Sequence, residues 1–300
     1  MTGPDETTLA LDAVRARIAS VFGAWTRETT LAEMRAGFDA MLATTLEAQA
    51  QTLSVGAMNA VRIRGEAGTA RGSVLYFHGG GYQIGSTVSH REIMIRLSRA
   101  AGCDVVGFDY RLAPENRFPA AVEDGVAAWR WLLEQGASAQ SVAFAGDSAG
   151  GGLAVATMLA ARSQGLPLPA RAVLMSPWLD MEASGETYRT RAEVDPLSRR
   201  ETILAMARAY IGRAGDPRDP LASPIHADLA GLPPFLIHVG DHETVLDDSR
   251  VFTDRLGAAG VPVELVVWER MIHHFQLFPE LPEAHRSIAA IGAFLRERLG

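Results

Sequence analysis

A serine between regularly spaced glycines, Gly146-Asp147-Ser148-Ala149-Gly150, follows the apolar run Val142 to Ala145 and precedes a helical stretch. A hydroxyl is a weak nucleophile at its ordinary pKa, so chemistry at Ser148 requires a tight turn that exposes the oxygen to a base. Gly-x-Ser-x-Gly between strand and helix has that form, because the glycines let backbone and helix crowd the turn. Upstream, His78-Gly79-Gly80-Gly81-Tyr82 follows a second apolar run, Val74 to Phe77. Successive glycines free backbone N–H groups to point at one spot. An acyl-transfer transition state puts negative charge on the former carbonyl oxygen, and donors aimed there are worth on the order of a few kcal/mol each. Gly80, Gly81 and the N–H of Ala149, just past the serine, form the expected oxyanion hole. The lysine of a Walker phosphate loop is missing, which points away from nucleotide binding.

Such a serine needs a base, and His273 in Met271-Ile272-His273-His274-Phe275 follows in the chain order nucleophile, acid, histidine. Its neighbour His274 remains an alternative on composition alone. The acid falls in Gly240-Asp241-His242-Glu243-Thr244-Val245-Leu246-Asp247-Asp248, which carries four carboxylates. Asp241 and Glu243 sit where a loop would leave a strand, whereas Asp247 and Asp248 read as a helix start. The histidines His78, His90, His226, His238, His242, His273, His274 and His285 form no spaced ligand set, so no metal or organic cofactor is expected. His238 and His242 come nearest to a metal pair.

The elements that must hold these residues follow from periodicity. Leu11, Val14, Ile18, Val21 and Phe22, then Leu31, Met34, Phe38, Met41 and Leu42, recur at helical spacing, predicting two amphipathic helices between Leu9 and about Gln51. Beyond Val61 come short apolar runs at 74–77, 104–108, 141–145, 172–175, 235–239 and 263–267, read as strands buried on both faces. Helical stretches separate them at 89–101, 120–135, 150–164, 246–259 and 282–299. That alternation predicts an α/β fold with a mostly parallel sheet covered by helices. Residues 178–220, with a helical run from Arg199 to Ile211, interrupt the alternation. The expected organisation is N-terminal cap helices at 1–51, a catalytic domain at 52–177 and 221–300, and a cap insertion at 178–220.

Taken together, His78-Gly79-Gly80-Gly81, Asp109-Tyr110-Arg111-Leu112-Ala113-Pro114-Glu115, Gly146-Asp147-Ser148-Ala149-Gly150 and Met271-Ile272-His273 resemble the bacterial hormone-sensitive-lipase-like esterases of the α/β-hydrolase fold. The resemblance spans about Leu75 to Phe278. It implies oxyanion donors at Gly80, Gly81 and Ala149, a cap of N-terminal helices plus the insertion, and a confined pocket for short- to medium-chain acyl esters. It also implies a bracing, non-catalytic role for Asp109, Arg111 and Glu115, and a homodimer joined through the last strand, Val263 to Val267. Members usually carry Asp-Pro-Leu-x-Asp around the acid, whereas this chain has Glu243-Thr244-Val245-Leu246-Asp247; aligned without a gap, Glu243 falls on the acid position. Asp241 is the alternative.

Composition narrows the class further. A formal charge of −7 without any Lys/Arg run offers no basic footprint for nucleic acid or anionic membrane surfaces, leaving a small-molecule ester as the expected partner. The polar start, Met1 to Glu6, lacks an export pattern and no apolar stretch reaches the roughly 20 residues of a membrane span, so a cytoplasmic protein is expected. The lone cysteine, Cys103, reads as core filler. Trp178, Tyr82 and Phe275 lie near the motifs, either as pocket walls or as core. A hydrolase of lactones, amides or carbonates would share the same machinery, whereas a ligand receptor would be expected to lack one of the three reactive residues.

Overall fold

The structure, a computed structural model, describes residues 5–65 and 72–299, so residues 1–4 of the polar start lie outside it. The chain begins with α1 (Glu6–Phe22) and α2 (Leu31–Met41). Asp5 caps α1 by accepting the Thr8 N–H at 2.7 Å, and Thr30 with Glu33 forms a reciprocal capping box on α2. Leu11, Val14 and Ile18 are the buried stripe of α1. An antiparallel hairpin, β1 (Ala50–Val55) and β2 (Met58–Ile63), turns at Gly56 with φ +59°.

The α/β body then alternates. It runs β3 (Ser73–Phe77), α3 (Arg91–Ala101), β4 (Asp104–Phe108), α4 (Ala120–Glu134), β5 (Val142–Asp147), α5 (Ala149–Ser163) and β6 (Arg171–Met175). Two helices, α6 (Thr187–Thr190) and α7 (Arg200–Ile211), interrupt it before β7 (Phe235–Gly240), α8 (Leu246–Ala258), β8 (Val263–Trp268) and α9 (Pro282–Leu299). All eight strands join one sheet, ordered β1-β2-β4-β3-β5-β6-β7-β8. β2 runs antiparallel to both β1 and β4, and the remaining neighbours pair in parallel. No helix among the described residues is long and apolar enough to cross a membrane.

Strand alternation sorts the core. Along β3, Leu75 and Phe77 face one apolar cluster with Trp129 of α4 and Leu153 of α5, while Val74 and Tyr76 face another with Ile93 and Leu97 of α3 and Ile291 of α9. Both faces are therefore covered. Burial on both sides is why the central strands read as unbroken apolar runs.

Two expectations need correction. The helices expected to reach about Gln51 stop at Met41, and Ala50 and Gln51 already pair in the sheet. β1 lies at the sheet edge with most residues exposed, so it carries no apolar run to betray it. At the opposite edge, β8 is not buried on both faces, because Glu264 and Val267 are exposed and, among the described residues, it pairs with β7 alone.

Phe144 of β5 is fully buried, with ring centroids of Phe77 and Trp129 both 5.1 Å away. Phe144→Ala is expected to destabilise the fold by about 3–5 kcal/mol, read as a lower urea midpoint at unchanged slope.

Candidate active site

The expected residues meet at the carboxyl ends of the parallel strands, where open α/β sheets present ligand sites. β5 runs into Ser148 and α5 starts one residue later. Ser148 adopts φ 51° and ψ −123°, a conformation that side chains seldom tolerate, and its N–H is held by the Met175 carbonyl at 2.9 Å. The turn closes only because hydrogen replaces a side chain beside it. A Cβ on Gly150 would strike the carbonyls of Phe77 and His78, and one on Gly146 would meet the Gly150 backbone.

His273, in the loop after β8, places Nε2 2.8 Å from Ser148 Oγ. Its Nδ1 lies 2.9 Å from Glu243 Oε2, in the loop after β7. Exposures of 8% for Ser148, 4% for His273 and 0% for Glu243 mean that little water competes for these bonds. The other Glu243 oxygen, Oε1, accepts from the Ser176 hydroxyl at 2.7 Å and from the Gly240 N–H.

The alternatives lie elsewhere. Asp241 accepts the Arg270 N–H at 2.6 Å and is partly exposed. Asp247 and Asp248 open α8; buried Asp248 accepts from the N–H of Leu179 at 2.9 Å and from the Tyr188 hydroxyl at 3.0 Å. His274 turns away from the serine and places Nδ1 3.1 Å from Asp147. Asp109 accepts from the Thr87 N–H, Arg111 binds Asp124 and Glu123, and Glu115 pairs with Arg35 of α2.

Electrostatics separate the two neighbouring histidines. Burial pushes the His274 imidazole down to about 4, so it stays neutral at ordinary pH. Burial also opposes charge on His273, but the hydrogen bond and charge of Glu243, aided by Asp195 and Asp147, carry its pKa above the ordinary value. Burial raises the Glu243 carboxyl, against its bonds from His273, Gly240 and Ser176. A carboxylate bound to Nδ1 also sets the imidazole tautomer that leaves Nε2 free to accept a proton.

Gly80 and Gly81 follow β3 with φ values of +114° and +60°, and both line one pocket with Ser148 and His273. Among the described residues, the N–H groups of Gly80, Gly81 and Ala149 have no hydrogen-bond acceptor, whereas the Gly79 N–H is taken by Asp147 at 3.0 Å. Ala149 owes its free N–H to its place as the first residue of α5.

The pocket is a cleft of about 480 Å³, open to solvent on one side. Phe22 and Phe38 form its wall from the N-terminal helices; Leu197, Ile203 and Met206 form the wall from the segment after β6. Trp178 lines it, whereas Tyr82 stacks on Tyr210 at 3.8 Å and Phe275 packs on Trp268 in the core. Sequence reasoning assigned Phe22 and Phe38 to helix packing and passed over Met206, Ser176 and Asp195. Asp195 accepts from the N–H of Thr244 at 2.9 Å and from that of Ser198 at 3.0 Å, linking a pocket wall to the acid loop. No local pattern ties Ser176 or Asp195 to the site, since their contacts with the loop after β7 span 67 and 49 positions.

His238 and His242 do not come together: His238 bonds the Ser287 hydroxyl at 2.7 Å, and His242 lies 3.9 Å from Asp241. The one cluster with ligand-like spacing among the described residues is Asp180, Glu182 and His226, where Asp180 already accepts from the N–H groups of Glu182 and Ser184. Cys103 is buried and its thiol is pushed up to about 12.

Comparison with known proteins identifies the fold and the family. The sequence pattern of a family described as the alpha/beta hydrolase fold matches residues 74–277. An acetyl-hydrolase of Streptomyces hygroscopicus is 48% identical over 229 residues, 76% of each chain. An esterase of Acinetobacter venetianus is 34% identical over 251 residues, covering 82% of this chain and 83% of that one. A crystal structure of an esterase from the bacterial hormone-sensitive lipase family superposes with a TM-score of 0.92 at 45% identity, over 100% of both chains. On its sequence and its fold, this chain belongs to the bacterial hormone-sensitive-lipase-like esterases of the α/β-hydrolase fold.

Proposed function

We propose that this carboxylic-ester hydrolase is a serine esterase working through an acyl-enzyme, with Ser148 as nucleophile, His273 as base and Glu243 as acid. The continuous line from Glu243 to His273 to Ser148, at 2.9 and 2.8 Å on the floor of an apolar pocket, carries the reading. His273 takes the Ser148 proton as Oγ attacks the ester carbonyl, and Glu243 stabilises the resulting imidazolium. The N–H groups of Gly80, Gly81 and Ala149 hold the oxyanion. Imidazolium then protonates the departing alcohol. Water, deprotonated by His273, attacks the acyl-enzyme and releases the acid.

The helices at 6–41 and the insertion at 178–220 act as the cap, since their side chains close the pocket over Ser148. The apolar walls suit an acyl chain, and resemblance to the family favours short to medium ones. A homodimer through the outer edge of β8 belongs to the same proposal; sedimentation analysis separates a particle of 32.2 kDa from one of twice that mass.

Rates on p-nitrophenyl esters test the assignment directly. Ser148→Ala and Glu243→Ala are each expected to lower kcat/KM by about 10³-fold or more, while Asp241→Ala keeps most of it. Acetate and butyrate esters should outrun the decanoate; retained activity in Ser148→Ala would overturn the mechanism.

The pH profile provides a second check. The base works only when neutral, and the His273 pKa lies above its ordinary value, so kcat/KM should fall with falling pH through an apparent pKa above 6.5. Glu243→Gln removes the charge that raises it and leaves burial, which lowers it. The acidic limb should therefore move to lower pH while kcat drops.

A further inference from the structure

Past the end of β6, Ser176 is fully buried and adopts φ +48°, with its N–H anchored to the His238 carbonyl of β7 at 2.7 Å. Its hydroxyl oxygen accepts the backbone N–H of His274 at 2.9 Å and sits 2.7 Å from Glu243 Oε1. A hydroxyl has one proton, and an ionised carboxylate can only accept. The proton therefore points at Glu243.

We infer that Ser176 is a positioning residue for the reaction: it fixes the acid through the carboxylate oxygen that His273 does not use. This inference rests on the serine-esterase reading above. The two oxygens of Glu243 divide the task, Oε2 facing the imidazole and Oε1 held by Ser176 and Gly240. A glutamate has one more rotatable bond than the aspartate common at this position, so a bond to Nδ1 alone leaves its carboxylate freer to swing. The Ser176 hydroxyl restrains that rotation. It also donates to a charge shut away from water, where a charge-assisted bond counts more than in solvent. Because the same oxygen receives the N–H next to His273, one hydroxyl ties the acid loop to the base loop. These contacts join residues 67 and 98 positions apart.

A purely structural role, satisfying the buried His274 N–H, predicts a cost independent of Glu243, so a double-mutant cycle separates the two. Initial rates on p-nitrophenyl acetate are compared for the parent, Ser176→Ala, Glu243→Ala and the double variant, each corrected by Ser148→Ala. Ser176→Ala in the parent is expected to lower kcat about tenfold with KM changed less than about twofold. In the Glu243→Ala background the same substitution should cost less than about twofold, since no carboxylate remains to be positioned. Equal losses in both backgrounds, or full kcat in a folded Ser176→Ala enzyme, would overturn the role of Ser176 alone. Near-parental activity of Glu243→Ala would instead overturn the acid assignment, and this inference with it. Near-UV circular dichroism and thermal midpoints check folding. Should the alanine variant not fold, Ser176→Gly removes the hydroxyl while relieving the left-handed backbone, and the cycle is repeated with it.

Discussion

A carboxylate with no access to solvent, Asp147, holds the site's loops to one another. The Tyr76 hydroxyl donates to it at 2.7 Å, the Gly79 N–H at 3.0 Å and His274 Nδ1 at 3.1 Å, with His90 Nε2 3.3 Å away. Burial pushes its pKa up, yet His90 and His274 hold it well below the ordinary carboxylate range. A buried charge costs several kcal/mol unless its lone pairs are met, so these neighbours are constrained together. The glycine loop, the start of α3, the serine turn and the histidine loop thereby share one anchor. Because Asp147 occupies the Gly79 N–H, the next two glycines are the ones left with free donors.

Several residues around that anchor adopt backbone angles that side chains rarely accept, among them Ser148, Ser176 and His274 at φ 51°, 48° and 41°. Each such residue costs roughly 1–3 kcal/mol and persists only where its surroundings over-determine it. Here the surroundings are the core: α5 is buried from Ala149 to Ala161, and its glycines let it approach the carbonyls behind the serine turn. Stability stored in the sheet and α5 thus offsets strain at Ser148. The pocket walls are tied to the same frame. Asp195 binds the acid loop at Thr244, Asp248 binds Leu179, and Arg35 of α2 bonds Glu115 and the Gln83 carbonyl.

Much of this was legible along the chain, and the reason is local. The central strands are covered on both faces, so they appear as apolar runs; the turns that carry Ser148 and the free N–H groups of Gly80 and Gly81 need glycines at set offsets, so they appear as motifs. The exceptions follow from the same physics. An edge strand such as β1 is mostly exposed and leaves no such run, and β8 looked central because its composition is apolar, while among the described residues it has a neighbour on one side only.

The carboxylates after β7 show where sequence alone stops. Four carboxylates within eight residues are chemically alike, and only resemblance in register favoured Glu243. The path of the loop decides between them, since it swings Asp241 toward Arg270 and brings Glu243 within 2.9 Å of a histidine 30 positions away. The same holds for His273 and His274, neighbours in sequence that face Ser148 and Asp147 respectively. The sequence by itself determined which residue types could react and which elements present them, because turn chemistry and apolar periodicity act over a few residues. Which carboxylate meets the histidine, which histidine meets the serine, and that the Ser176 hydroxyl meets Glu243 were decided only by tertiary structure, because hydrogen bonds reach about 3 Å and depend on where separate loops converge.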